Sequence, residues 1–254
     1  MSEKANESQP LSRFSFVRYK QYLLDEKFSY ATINKKINSL KVYNDFLQKK
    51  GIVSENYIQL KRDRIQIAAG SEHAALTDKQ IDTLLYYVED LKKVSQRNKL
   101  VVYLLLYTGV RVSELVNIKL GDIDQLTSTL MIRGKGGKVR EVSLRQDVLQ
   151  LIKQYQKEER INSRFQESEY LLVSQRANKM HRDSVRDWLA NVTNDVGFHL
   201  HPHLFRHTFS TQLLRLGVDL TTVSKLIGHA NVNMTAKYYI QTSKEEKQSA
   251  VEIL

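Results

Sequence analysis

Three histidines and an arginine fall within seven residues in the stretch HPHLFRHTFS, His201 to Ser210. The chain has seven histidines in all, and five of them lie between His199 and His229. Such residues can hold a metal, assist a nucleophile or clamp a phosphate. His203 and His207 are spaced i, i+4, so on a helix they share a face and have the reach of a zinc pair. The stretch offers no carboxylate as a third ligand, and Arg206 between the two would repel a cation. The chain has no cysteine, which removes thiolate metal sites, disulfides and cysteine nucleophiles together. No metal is expected.

A phosphate clamp fits these residues better. His203 and Arg206 are spaced i, i+3 near a helix start, where free N–H groups and the helix dipole favour anions. An arginine fork takes two phosphate oxygens at once. Arg111 is a second such residue: it follows Gly109 directly after a very apolar helix, in position to project into a cleft. Lys135 lies in the Gly-rich run Gly134 to Lys138, which lacks P-loop spacing and reads as a hairpin tip. By itself it reads as a solvent-exposed turn lysine. His201 and His207 are open to either reading, with His207 the better candidate for a packing role.

The elements that must position these residues are mostly helices. Phe16, Tyr19, Tyr22 and Leu23, then Ile33, Ile37, Leu40, Val42, Tyr43 and Leu47, recur at helical spacing, with Gly51 as a stop. Lysines 35, 36, 41, 49 and 50 occupy polar positions of the second pattern. Residues 61–76 show no clear period and read as a linker. Thr77 and Gln80 form a capping box ahead of Ile81, Leu84, Leu85, Val88 and Leu91. Helices are predicted at about Asn98–Tyr107, through Glu114, and at Asp147–Glu158, Ser184–Val192, Pro202–Leu216, Thr221–Ile227 and about Met234–Tyr239. TLMIRGKGGKVREVSL reads as two strands around a Gly-rich turn. The expected fold is mainly α with a small β-hairpin or sheet: an N-terminal helical domain at 1–60, the linker, and a second domain at 77–254.

The order and spacing of TGVRVSELVNIKLGDID, RGKGGKVREVSL and HPHLFRHTFSTQLLRLGVDLTTVSKLIGHANVNMTAKYY resemble the tyrosine recombinase family of phage integrases and Xer-like enzymes. The similarity runs from about Thr77 to Tyr239. It implies a recombinase catalytic domain preceded by the later half of a helical DNA-clamping domain. It assigns Arg111 as the first catalytic arginine, Lys135 as the hairpin lysine, and His203 and Arg206 as H-x-x-R. His229 matches the second histidine, and Tyr238, nine residues on, the nucleophile; Tyr239 follows it directly. Glu114 matches a helper position beside the first arginine. The implied activity is site-specific cutting and rejoining of DNA through a covalent 3′-phosphotyrosine, without a cofactor. The implied partner is double-stranded DNA with paired sites, bound by a homotetramer of two dimers. The tail, residues 244–254, would pass between protomers. A type IB topoisomerase and a catalytically silent DNA-binding regulator are the alternatives. The H-x-x-R to L-x-G-H layout favours a recombinase over the first, and retention of both Lys135 and Tyr238 speaks against the second.

The net charge of +11 agrees with a polyanionic partner. Between Leu11 and Gln66 twelve Lys/Arg face five Asp/Glu, a net +7. Lys35, Lys36 and Lys41 are the candidate DNA contacts. No run approaches the roughly 20 apolar residues of a membrane span, and MSEKANESQP has no apolar export signal. A cytoplasmic protein without a membrane partner is expected.

Overall fold

The computed structural model describes residues 11–66 and 75–228. His229, Tyr238, Tyr239, the expected final helix and the tail lie outside the described residues. Of Lys135 the backbone is described and the side chain is not. Compact units part between Ser71 and Glu72.

The first unit is built on α1 (Arg13–Asp25) and α2 (Tyr30–Lys49). Each begins on a serine, Ser12 and Ser29, whose hydroxyl accepts a backbone N–H of the first turn. Phe16, Leu23, Ile33, Ile37, Leu47 and Ile58 form its core. Val42 and Tyr43, read as part of the apolar period, are instead exposed at 69% and 45%, as are Tyr22 and Phe46. The buried stripe of α2 is narrower than its apolar content.

Residues 61–66 are not linker. The short helix α3 (Leu60–Asp63) belongs to the first unit. Asp63 is buried, and Arg13 donates to both of its carboxylate oxygens at 2.6 Å. The Asn34 side chain exchanges two 2.8 Å bonds with the backbone of Ile65. Asn44 likewise bonds Glu55 O and Tyr57 N. Polar anchors on α1 and α2, with Leu60 and Ile65 packed on the core, hold residues 55–65 against the two helices.

The second unit is mainly helical with one small sheet. Its helices are α4 (Asp78–Glu89), α5 (Gln96–Thr108), α6 (Val112–Leu115), α7 (Gln146–Glu158), α8 (Arg182–Val196), α9 (Pro202–Arg215) and α10 (Leu220–Ile227). The Thr77–Gln80 capping box is present at the start of α4. Helix α5 is central: Leu100, Val101, Val102, Leu104, Leu105 and Leu106 are fully buried, so it is covered on nearly every side. It packs against α7 and α9.

The sheet is antiparallel, in the order β1 (Ile123–Asp124), β2 (Thr129–Arg133), β3 (Val139–Ser143). The β2–β3 hairpin is as expected; β1, only two residues long, was not. Leu130 and Ile132 face inward from β2, as does Val142 from β3. Because side chains alternate along a strand, Arg140 takes the same inward face as Val142, opposite Ile132 in the register.

Candidate active site

Three arginines converge on the last turn of α10. Arg140 Nε donates to Leu226 O at 2.8 Å, Arg206 Nη2 donates to Ile227 O, and Arg111 Nη2 donates to Gly228 O at 3.1 Å. These three successive carbonyls end the helix. Helix-terminal carbonyls lack intrahelical donors and carry the negative end of the dipole, so cations gather there naturally. Gly228 closes the turn in the left-handed region (φ +64°), and an added Cβ would meet Arg140 Nη1 at 3.0 Å.

Arg206 is buried, at 3% exposure, although it sits only five residues into α9. Its Nη1 donates to Gly109 O at 2.7 Å. Gly109 caps α5 in the left-handed conformation, the geometry in which glycine carries no Cβ penalty. The residue has a second constraint: a Cβ there would overlap the Phe209 ring. The α5 terminus and α9 therefore close together around the arginine.

Arg111 starts α6. Glu114 reaches back to its backbone N–H at 2.9 Å and also accepts from its Nη1 at 2.9 Å. The Glu114 carboxylate is 5% exposed. Arg140 donates to both of its oxygens, at 2.8 and 3.2 Å. Burial pushes the Glu114 carboxyl up, but the bonds from Arg140 and Arg111 outweigh it and hold it below the ordinary carboxylate range. One carboxylate thus orients two arginines. Arg140 was not singled out in the sequence. Its signal was its place in VREVSL: it alternates with Val142 and Leu144, and a charged residue on an inward face needs a partner.

The remaining expected residues are distributed as follows. His203 lies in the first turn of α9 and is exposed, unlike Arg206. His201 is the N-cap of α9, its Nδ1 accepting from Leu204 N at 3.2 Å. His207 is buried among the inner positions of the same helix. Leu204 and Phe205 are core residues, and Phe209 is half-buried. Lys135 begins the turn between β2 and β3, where Gly136 and Gly137 both have positive φ. Across that turn Gly134 N donates to Lys138 O at 2.7 Å. In the first unit Lys35 is exposed, the Lys36 ammonium lies 5.5 Å from the Phe28 ring centre, and Lys41 bonds both oxygens of Asp45 at 2.6 and 2.8 Å. Among the described residues no three His, Asp or Glu side chains are grouped to hold a metal, and no helix is long and apolar enough to cross a membrane.

The phage integrase family profile matches residues 74–246, more than half of the chain. The chain belongs to this family. It is 35% identical over 231 residues to the TnP I resolvase of Bacillus thuringiensis, covering 90% of this chain and 79% of the resolvase. It is 31% identical over 235 residues to the tyrosine recombinase XerC of Bacillus subtilis, covering 87% and 73% of the two chains. In fold, it resembles the XerH site-specific recombinase bound to palindromic difH substrate, with a TM-score of 0.79, 20% identity and coverage of 98% and 74%. It also resembles the Tn1549 transposon integrase in complex with a circular intermediate DNA, with a TM-score of 0.77, 21% identity and coverage of 96% and 86%. This tyrosine recombinase is therefore an enzyme of site-specific DNA recombination, which cleaves and rejoins DNA; the covalent phosphotyrosine intermediate is a general property of its family.

Proposed function

We propose that this recombinase cuts double-stranded DNA at paired sites with Tyr238 as nucleophile and Arg111 and Arg206 as the phosphate clamp. The convergence of those two arginines on the end of α10 is the observation that carries the reading. Attack on a phosphodiester concentrates negative charge on the non-bridging oxygens. Donors held in advance on fixed carbonyls stabilise that charge without rearranging.

In this reading the Tyr238 oxygen forms a bond to phosphorus as the bond to the 5′ oxygen breaks. The 3′ phosphate stays on the protein and a 5′ hydroxyl leaves. Lys135 gives the leaving oxygen its proton, from a hairpin tip in which Gly136 and Gly137 both have positive φ. His203 accepts the tyrosine proton, and its exposure at the α9 start agrees with a role at the DNA surface. His229 directly follows Gly228, whose carbonyl is held by Arg111, and it bonds a non-bridging oxygen. No step requires a metal or other cofactor.

The unit before Ser71 serves as a DNA-clamping domain, supported by its excess of positive charge. The active assembly is a homotetramer of two dimers on two sites. The tail from Lys244 to Leu254 passes between protomers, which is the type of head-to-tail exchange that closes into a ring.

Incubation with supercoiled and two-site DNA in EDTA tests this. The expected result is a covalent adduct lost in Y238F and kept in Y239F, together with strand exchange between sites. An adduct lost only in Y239F would shift the nucleophile by one residue. Relaxation without exchange would favour the topoisomerase reading. A chain lacking 244–254 is expected to bind one site normally, bind two sites with less cooperativity and fail to recombine them.

A further inference from the structure

We infer that Arg140 is a positioning residue for strand cleavage: by taking both oxygens of Glu114, it leaves Arg111 free to serve the scissile phosphate rather than being neutralised within its own helix. This rests on the reading of Arg111 as a phosphate ligand.

Glu114 carries one charge and is contacted by two guanidiniums. Arg140 makes the fork, with Nη2 on Oε2 at 2.8 Å and Nη1 on Oε1 at 3.2 Å. Arg111 reaches the same carboxylate through Nη1 alone, at 2.9 Å. The two arginines also differ in exposure: the Arg140 side chain is 13% exposed and that of Arg111 41%. The buried arginine thus holds the stronger, two-pronged geometry, and the accessible one holds the weaker. Arg140 is fixed from two further directions. Its backbone pairs with Ile132 in the hairpin, and its Nε is bound to Leu226 O.

Removing Arg140 would leave a buried carboxylate with Arg111 as its remaining strong cation. An uncompensated buried charge is costly, so Glu114 would draw Arg111 into a fork of its own. That rotation takes the guanidinium from Gly228 O and offsets its charge by the time a phosphate arrives. The expected defect is in charge stabilisation at phosphorus, not in DNA affinity.

A substrate with a methylphosphonate at the cleaved position separates this from a structural defect, because its neutral methyl group replaces one charged oxygen. Single-turnover strand breakage would be measured for the parent enzyme, R111A, R140A and R140K on both substrates, with DNA affinity and unfolding followed in parallel. R111A is expected to lose roughly a hundredfold or more on the phosphodiester, as for loss of an oxyanion donor, and to recover on the methylphosphonate. R140A is expected to lose at least about tenfold, to recover on the same stereoisomer as R111A, and to keep its DNA affinity; R140K, with charge but no fork, should fall between. If R111A does not recover, the reading of Arg111 fails. If R111A recovers while R140A and R140K are slowed equally on both substrates, Arg140 is only a strut of the fold and the inference is overturned. Should R140A fail to fold, R140K and R140Q carry the same comparison.

Discussion

Arg206 donates through Nη1 to the carbonyl of Gly109 at 2.7 Å, across 97 residues of chain. The bond joins the left-handed cap of α5 to a buried position on α9. Its geometry depends on Gly109 having no side chain, because the Phe209 ring occupies the space a Cβ would need. G109A is therefore expected to displace α9 and Arg206 together. Left-handed strain alone costs about 1–2 kcal/mol, and overpacking typically adds about 1–3 kcal/mol. Denaturant unfolding should register the loss, and cleavage should fall further than stability explains. Unchanged cleavage in a folded G109A protein would show that Arg206 does not need this carbonyl.

Lys135 can be separated from the arginines by the leaving group. When sulfur replaces the 5′ bridging oxygen, the leaving group needs little protonation. K135A is expected to be slow on ordinary DNA and largely restored on the sulfur substrate, whereas R111A and R206A remain slow on both. Equal restoration of all three would remove Lys135 from the role of general acid.

Much of this site is legible in the sequence. Gly109 reads as a helix stop, Arg111 as a residue projecting after it, and Glu114 as its neighbour on a short helix, because all three depend on local spacing. The carbonyl partners of Arg206 are not legible, since Gly109 and Ile227 meet it only in the fold. Arg140 was hidden for a different reason. Its inward register is visible only once the hairpin strands are aligned, and a lone arginine on a short strand beside a polar turn draws no attention. In the first unit, the fold of residues 55–66 depends on Asn34, Asn44 and the Arg13–Asp63 pair. Such polar anchors leave no periodic signature. Val42 and Tyr43 misled in the opposite direction: they continue the apolar period but lie outside the buried stripe.

Glu114 makes one pH-dependent contribution to stability. Its folded carboxyl lies below the ordinary range. Its contribution is therefore complete above the unfolded value, about 4.3, and is lost as pH falls through the lowered folded value. E114Q should destabilise the protein near neutrality, by up to about 3 kcal/mol if the pair behaves as a typical buried one. The gap between E114Q and the parent should narrow as pH is lowered beneath 4.3. Urea unfolding between pH 7 and pH 3 measures this, and a gap independent of pH would mean Glu114 does not titrate with folding.

Salt dependence tests the first unit. Each phosphate neutralised contributes about 0.9 to the slope of log affinity against log salt. Lys35 and Lys36 replaced together by alanine should flatten that slope. Lys41 replaced alone should change it less, because Asp45 already engages its ammonium. A slope altered by K41A but not by the double variant would invert this assignment.

The gathering of Arg111, Arg140 and Arg206 at one helix end also has a thermodynamic consequence. Their mutual repulsion is present as soon as the second unit folds, before any phosphate arrives, and Glu114 with the carbonyls of Gly109, Leu226, Ile227 and Gly228 acts against it. Like charges held close together in advance of a ligand favour its binding at some expense to the unliganded fold. An anion that binds only the folded state restores stability by mass action, about 2.7 kcal/mol at a hundredfold excess over its dissociation constant. The DNA substrate is then also a folding ligand, and the second unit is expected to be at its most stable when a scissile phosphate lies among these arginines.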